Sequence, residues 1–183
     1  MRGLHNLGTP TAHQALVSFV KNSQPTQDAG AYQDAIRYLG QIGDHNELAM
    51  LVQVEHVNPP ESYSREVAME SAGKVGGDDA VPLMAAELKD PSIDVRQSAV
   101  RALYLTSSRN AVPILIELLR PPEERVSGTA EFGLQVLTHR SATEPNSGVL
   151  PATYAKWTRW WNTYRDSATI FKYDQCGDFV PLE

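Results

Sequence analysis

Four alanines frame this chain: Ala35, Ala68, Ala99 and Ala130 stand 33, 31 and 31 residues apart, with matching neighbours around each. The four segments read DAIRYLGQIGD, VAMESAGKVGG, SAVRALYLTSS and TAEFGLQVLTH. Four residues after each alanine comes Leu39, Ala72, Leu103 or Leu134, and three further on Ile42, Val75, Thr106 or Leu137. Positions i, i+4 and i+7 make one stripe of an α-helix, and a small residue at its start lets a neighbouring helix approach closely. A repeat of this length is a supersecondary unit that cannot bury its apolar face alone, so consecutive units must stack.

Each segment closes on residues that stop helices: Gly43-Asp44, Gly76-Gly77, Ser107-Ser108 and Thr138-His139. A second apolar run follows in ELAMLVQVE, AVPLMAAEL and AVPILIELL. Pro82 and Pro113 keep the same 31-residue step, in a first helical turn where proline removes no intrahelical bond. The unit is therefore a helix, a tight turn and an antiparallel helix. Hairpins are predicted at about 1–22, 28–56, 61–89, 92–120 and 122–166. Leu4, Leu7 and Gly8 align with Leu39, Ile42 and Gly43, so Met1 falls inside a helix lacking its start, which a longer parent protein or a naturally frayed cap would each explain.

Asp90 to Leu103 carries a DxxVRxxAxxAL pattern, with Asp94 directly before Val95-Arg96; Arg65 holds the Arg96 position one unit earlier. With the phasing, this resembles the HEAT-repeat family, particularly short bacterial HEAT-like repeats related to phycobilin lyase subunits. The resemblance spans about Leu4 to His139 and implies an all-α superhelical solenoid. It also implies structural roles for Asp94, Arg65 and Arg96, as a ladder between adjacent repeats near the inter-hairpin turns.

After Leu137 the period breaks, and His139 to Ala152 reads as a loop. A last helix is predicted from Thr153 to Arg165, with Trp157, Trp160, Trp161 and Tyr164 on one face. These tryptophans are expected to cap the exposed end of the array, as solenoids require, rather than to form a recognition surface. The tail, 167–183, has scattered apolar residues without a period; packing back, docking on a partner and disorder all remain open.

Motifs for chemistry are missing. The five histidines form no HxH, HExxH or HxxxH pair and no His-Glu dipeptide, the iron-binding element of HEAT-like deoxyhypusine hydroxylases. The turns would align Asp44, His45, Asp78, Asp79, Arg109, His139 and Arg140 along one edge, which as mixed charge reads as solvated turns rather than a metal site. Cys176 is the only cysteine, which excludes an internal disulfide, and it has no evident activating base. With 16 basic and 22 acidic residues the net charge is −6, a poor match to phosphate backbones. No apolar run is long enough to span a membrane and no apolar leader is evident, so a cytoplasmic location is expected.

The expected function is a non-catalytic scaffold or adaptor, without cofactor or metal, that holds a protein or peptide on the concave face lined by the second helices. Gln53, Glu87, Glu117 and Arg120 are the candidate contacts. Two other readings stand beside it: a bilin-lyase-like enzyme subunit or chaperone, and a regulatory segment of a larger HEAT-repeat protein.

Overall fold

Thr9 opens the first helix, α1 (Pro10–Asn22). Its Oγ1 accepts the Ala12 N–H at 3.2 Å, and Pro10 sits in the first turn. The computed structural model describes residues 9–23, 29–57, 63–120, 124–140, 150–173 and 179–182. After α1 come α2 (Ala29–Ile42), a 3-10 turn (His45–Glu47), α3 (Leu48–Val57), α4 (Tyr63–Glu87) and α5 (Ile93–Leu105). Then follow α6 (Ala111–Glu117), α7 (Glu124–Thr138) and α8 (Leu150–Tyr164). Among the described residues the fold is all-helical but for a short antiparallel ribbon, β1 (Phe171–Tyr173) with β2 (Phe179–Pro181), in which Phe171 pairs with Pro181. Helix α8 starts three residues before the predicted Thr153, because Pro151 fits a first turn as well as a loop. The partial helix expected at the start, the body of the predicted loop and Cys176 lie outside the described residues.

The break expected at Gly76-Gly77 takes one residue. Gly77 adopts φ +50°, ψ −133°, and the chain is helical on both sides of it. In an unbroken helix Arg65 and Glu87 would be about 33 Å apart. Their side chains instead meet at 2.9 Å, so α4 folds back on itself as two antiparallel arms. That backbone region is open almost only to glycine, and a Cβ on Gly77 would meet nothing within 4 Å. Gly77→Ala should therefore show the backbone effect alone, a loss of about 1–3 kcal/mol in urea unfolding. Unchanged stability would mean that the reversal does not depend on this glycine. Ser107 and His139, at φ +53° and +50°, end α5 and α7 in the same left-handed sense.

The first helices of successive hairpins (α2, the first arm of α4, α5 and α7) pack each on the next. Ala35, Ala68, Ala99 and Ala130 are fully buried, as are Leu39, Ala72, Leu103 and Leu134. Thr106 takes an apolar position in this stripe with its hydroxyl satisfied: Oγ1 donates to the Leu103 carbonyl at 2.7 Å and accepts the Ser108 N–H at 3.1 Å.

The joints between these helices share one construction. The residue five after the anchor alanine meets the residue three after the anchor in the next hairpin: Gly40 on Ser71, Gly73 on Ala102, Tyr104 on Gly133. A Cβ on Gly40 would stand 2.5 Å from the Ser71 Oγ, and one on Gly73 2.4 Å from the Ala102 carbonyl oxygen. In the third joint the sizes are reversed, and the Tyr104 ring lies against Gly133. Backbones this close leave no room for a methyl group.

Past α8 the chain folds back. Arg109 donates to the carbonyls of Arg165 and Ala168, the latter at 2.6 Å, and Ile170 is buried. The Leu182 N–H donates to the Ile170 carbonyl at 2.7 Å, and β1 lies against α7. Of the three fates left open for the tail, its described part packs back on the array.

Candidate functional site

The second helices (α1, α3, the second arm of α4, and α6) present two rows of equivalent residues. Ala15, Met50, Leu83 and Ile114 form an apolar row, half-buried except for Leu83, which is 39% exposed. Beside it run Ser18, Gln53, Ala86 and Glu117, all exposed. Burial of one flank of each second helix against its hairpin leaves this band outward. No lysine or arginine falls on either row.

The four candidate contacts sit differently within this frame. Gln53 is exposed on α3. Glu87 departs from its expected open position: its carboxylate meets Arg65 Nη2 at 2.9 Å, and its side chain is only 16% exposed. Both arms of α4 end at the inter-hairpin turn, so the buried guanidinium there draws the nearest carboxylate inward. Glu117 and Arg120 are exposed but paired, Nε to Oε2 at 2.9 Å. Tyr154 of α8 joins them. Its hydroxyl donates to Glu117 Oε1 at 3.0 Å and accepts from Arg120 Nη2, and the Arg120 guanidinium carbon lies 4.5 Å from its ring centre. The Tyr154 hydroxyl first, and the Glu117 charge second, hold the Arg120 pKa above its ordinary value. Sequence periodicity missed Tyr154, because α8 lies outside the repeat.

Around the inter-hairpin turns, Arg65 and Asp94 enter Asp–Arg pairs while Arg96 turns to backbone carbonyls. Arg65 reaches Asp90 Oδ2 at 3.6 Å as well as Glu87. Arg96 donates to the carbonyls of Asp90 and Pro91 at 2.6 and 2.9 Å, bracing the turn. Asp94 reaches forward to Arg125 at 3.4 Å, and Arg101 reaches back to Glu70 at 2.8 Å and to Glu66. The Asp94–Arg125 and Glu70–Arg101 pairs are each 31 residues apart, a separation that was visible in the chain. Being largely exposed, Asp94–Arg125 contributes little; its consequence is register.

Along the turn edge, Asp44 caps the 3-10 turn. Its Oδ1 accepts the Asn46 N–H at 2.8 Å, which lowers its pKa, and Glu47 Oε2 accepts the Asp44 N–H at 2.7 Å. His13 Nε2 lies 3.0 Å from Glu47 Oε1, tying α1 to the next hairpin. His45 Nε2 approaches Asp79 at 3.3 Å, and Asp78 instead accepts from the Ser108 hydroxyl. Among the described residues, no three His, Cys, Asp or Glu side chains are grouped to hold a metal, and no helix is long and apolar enough to cross a membrane. Of the cap tryptophans, Trp157 is buried, with Trp160 edge-on to it at 5.5 Å; Trp160 and Trp161 are partly buried against the core.

Comparison with curated proteins finds no match. Residues 54–135, from α3 to α7, match the family model described as HEAT repeats. They contain two of the three glycine joints and the second-helix positions from Leu83 to Glu117. Across that span, the chain is similar to the HEAT-repeat family, and the match supports a HEAT-repeat fold there.

Proposed function

We propose that the band formed by the second helices receives a polypeptide partner, making the chain an interaction scaffold. The observation that carries this is the aligned row Ala15, Met50, Leu83 and Ile114, flanked by Ser18, Gln53, Ala86 and Glu117. HEAT repeats commonly act as protein-interaction scaffolds, and stacked hairpins offer an extended surface without a catalytic pocket. An apolar strip edged by Ser18, Gln53 and the Glu117 carboxylate suits a peptide with spaced apolar side chains. The absence of cations from both rows favours this over a phosphate-bearing ligand. Gln53, Glu117 and Arg120 are the polar contacts on this reading, and Glu87 serves the fold through Arg65.

Leu83→Glu probes the band without touching the internal Arg65–Glu87 ion pair. Peptides selected from a display library on the wild-type chain should bind Leu83→Glu about tenfold more weakly or worse. Gln53→Lys should act in the same direction. If the selected peptides bind both variants as well as the wild type, the band is not the binding surface.

A further inference from the structure

The turn after α7, the aromatic face of α8 and the start of β1 enclose a half-open pocket of about 420 Å³, away from the second-helix band. Its walls include Trp160, Tyr164 and Phe171, and its polar rim His139, Arg140 and Thr169. The volume is that of a small-molecule site. On a chain with more acids than bases, no carboxylate is among the described residues that line it.

The two basic residues are held in place. The Arg140 guanidinium lies 5.4 Å from the Trp160 ring centre and 5.9 Å from that of Tyr164. Among the described residues no carboxylate pairs with it, and the two aromatic rings are its neighbours there. His139 stacks on Phe171 at 4.1 Å and 17° between planes. Its backbone is left-handed, a conformation costing about 1–2 kcal/mol for a residue with a Cβ. Trp160 also has a buried indole N–H without an acceptor. Below the pocket, Arg109 pins the turn after α8 through the Arg165 and Ala168 carbonyls.

We propose that this pocket binds a carboxylate carried beside an aromatic ring. Arg140 pairs with the carboxylate, His139 flanks it, and the ring lies against Trp160 and Tyr164. The group comes either from a small molecule or from the C-terminal residue of a polypeptide. The inference is independent of the scaffold reading.

The probes are N-acetyl-phenylalanine, its primary amide, and the tetrapeptide Ala-Ala-Ala-Phe with a free carboxylate, titrated against the full chain by tryptophan fluorescence and calorimetry. N-acetyl-phenylalanine should bind saturably with a Kd on the order of 1 mM, as its size allows. The amide should bind at least about tenfold more weakly, as should the acid to Arg140→Gln. Arg159→Gln, an exposed charge outside the pocket, should bind as the wild type does. A tetrapeptide at least about tenfold tighter than the acetylated residue assigns the group to a polypeptide terminus; equal affinity assigns it to a small molecule. Equal binding of acid and amide, undiminished binding by Arg140→Gln, or no saturable binding of either acid overturns the proposal. Arg140 is exposed, so Arg140→Gln should keep the wild-type melting temperature, and a matched melt shows that lost binding is not lost fold.

Discussion

Replacing Gly73 with alanine should destabilise the array by about 3 kcal/mol or more, although it adds only one methyl group to a helix. The methyl would meet the Ala102 carbonyl oxygen at 2.4 Å and the Ala102 Cα at 3.0 Å. Both belong to the backbone of α5, so relief requires moving a helix rather than turning a side chain. In an isolated helix the same substitution is favourable by about 0.5–1 kcal/mol, which the clash must exceed. Gly128 supplies the control: it lies within α7, and a Cβ there meets nothing within 4 Å. Gly128→Ala should therefore stabilise slightly, while Gly73→Ala lowers the thermal midpoint by roughly 10 °C, at about 2–4 °C per kcal/mol for a chain of this size. Scanning calorimetry of the two variants decides it, and equal midpoints would show that α4 and α5 are not so close.

The second large effect falls at the cap. Trp157 is 2% exposed and among the largest fully buried side chains. Trp157→Ala should cost about 3–5 kcal/mol, as deletion of a buried aromatic does. Phenylalanine should recover much of this. It keeps most of the apolar volume and removes an indole N–H that is buried without an acceptor, itself a penalty of about 1–3 kcal/mol. Trp161→Ala, at a partly buried position, should lose less than Trp157→Ala. Denaturant titrations of the three variants give the order. A Trp157→Ala protein as stable as Trp161→Ala would remove Trp157 from its place as the plug of the final hairpin.

The anchor alanines and their i+4 partners could be read as core because burial on one helical face repeats, and repetition reveals it without knowledge of neighbours. What lies across an interface was less legible. The 31-residue step told that one residue meets another in the next hairpin but not which one, since several polar residues share each step. Thus Asp94 answers Arg125 and not a neighbouring arginine, and Arg96 turns to backbone carbonyls. Glu87 looked outward because periodicity places it on a second-helix surface. Its partner Arg65 enters from the other arm of α4, on a helix face with a different phase. The tail gave no pattern, because strands of three residues are too short to show alternation. It meets the end of α7 and neighbouring turns rather than extending the repeated stripe, so no period in the chain marks the pocket beside Arg140.

The packed-back tail also bears on the order of events during folding. Lys172 and Leu182 share a cavity of about 330 Å³ with Lys74, Gly77 and Asp78, roughly 100 residues earlier in the chain. Hairpins that touch only their neighbours can form locally and propagate in either direction. A contact across such a distance must first bear the entropy of closing a long loop, so it waits until the intervening hairpins have docked. On that ground the ribbon is expected to dock after the hairpins, and the pocket that Phe171 helps to wall to be completed with it.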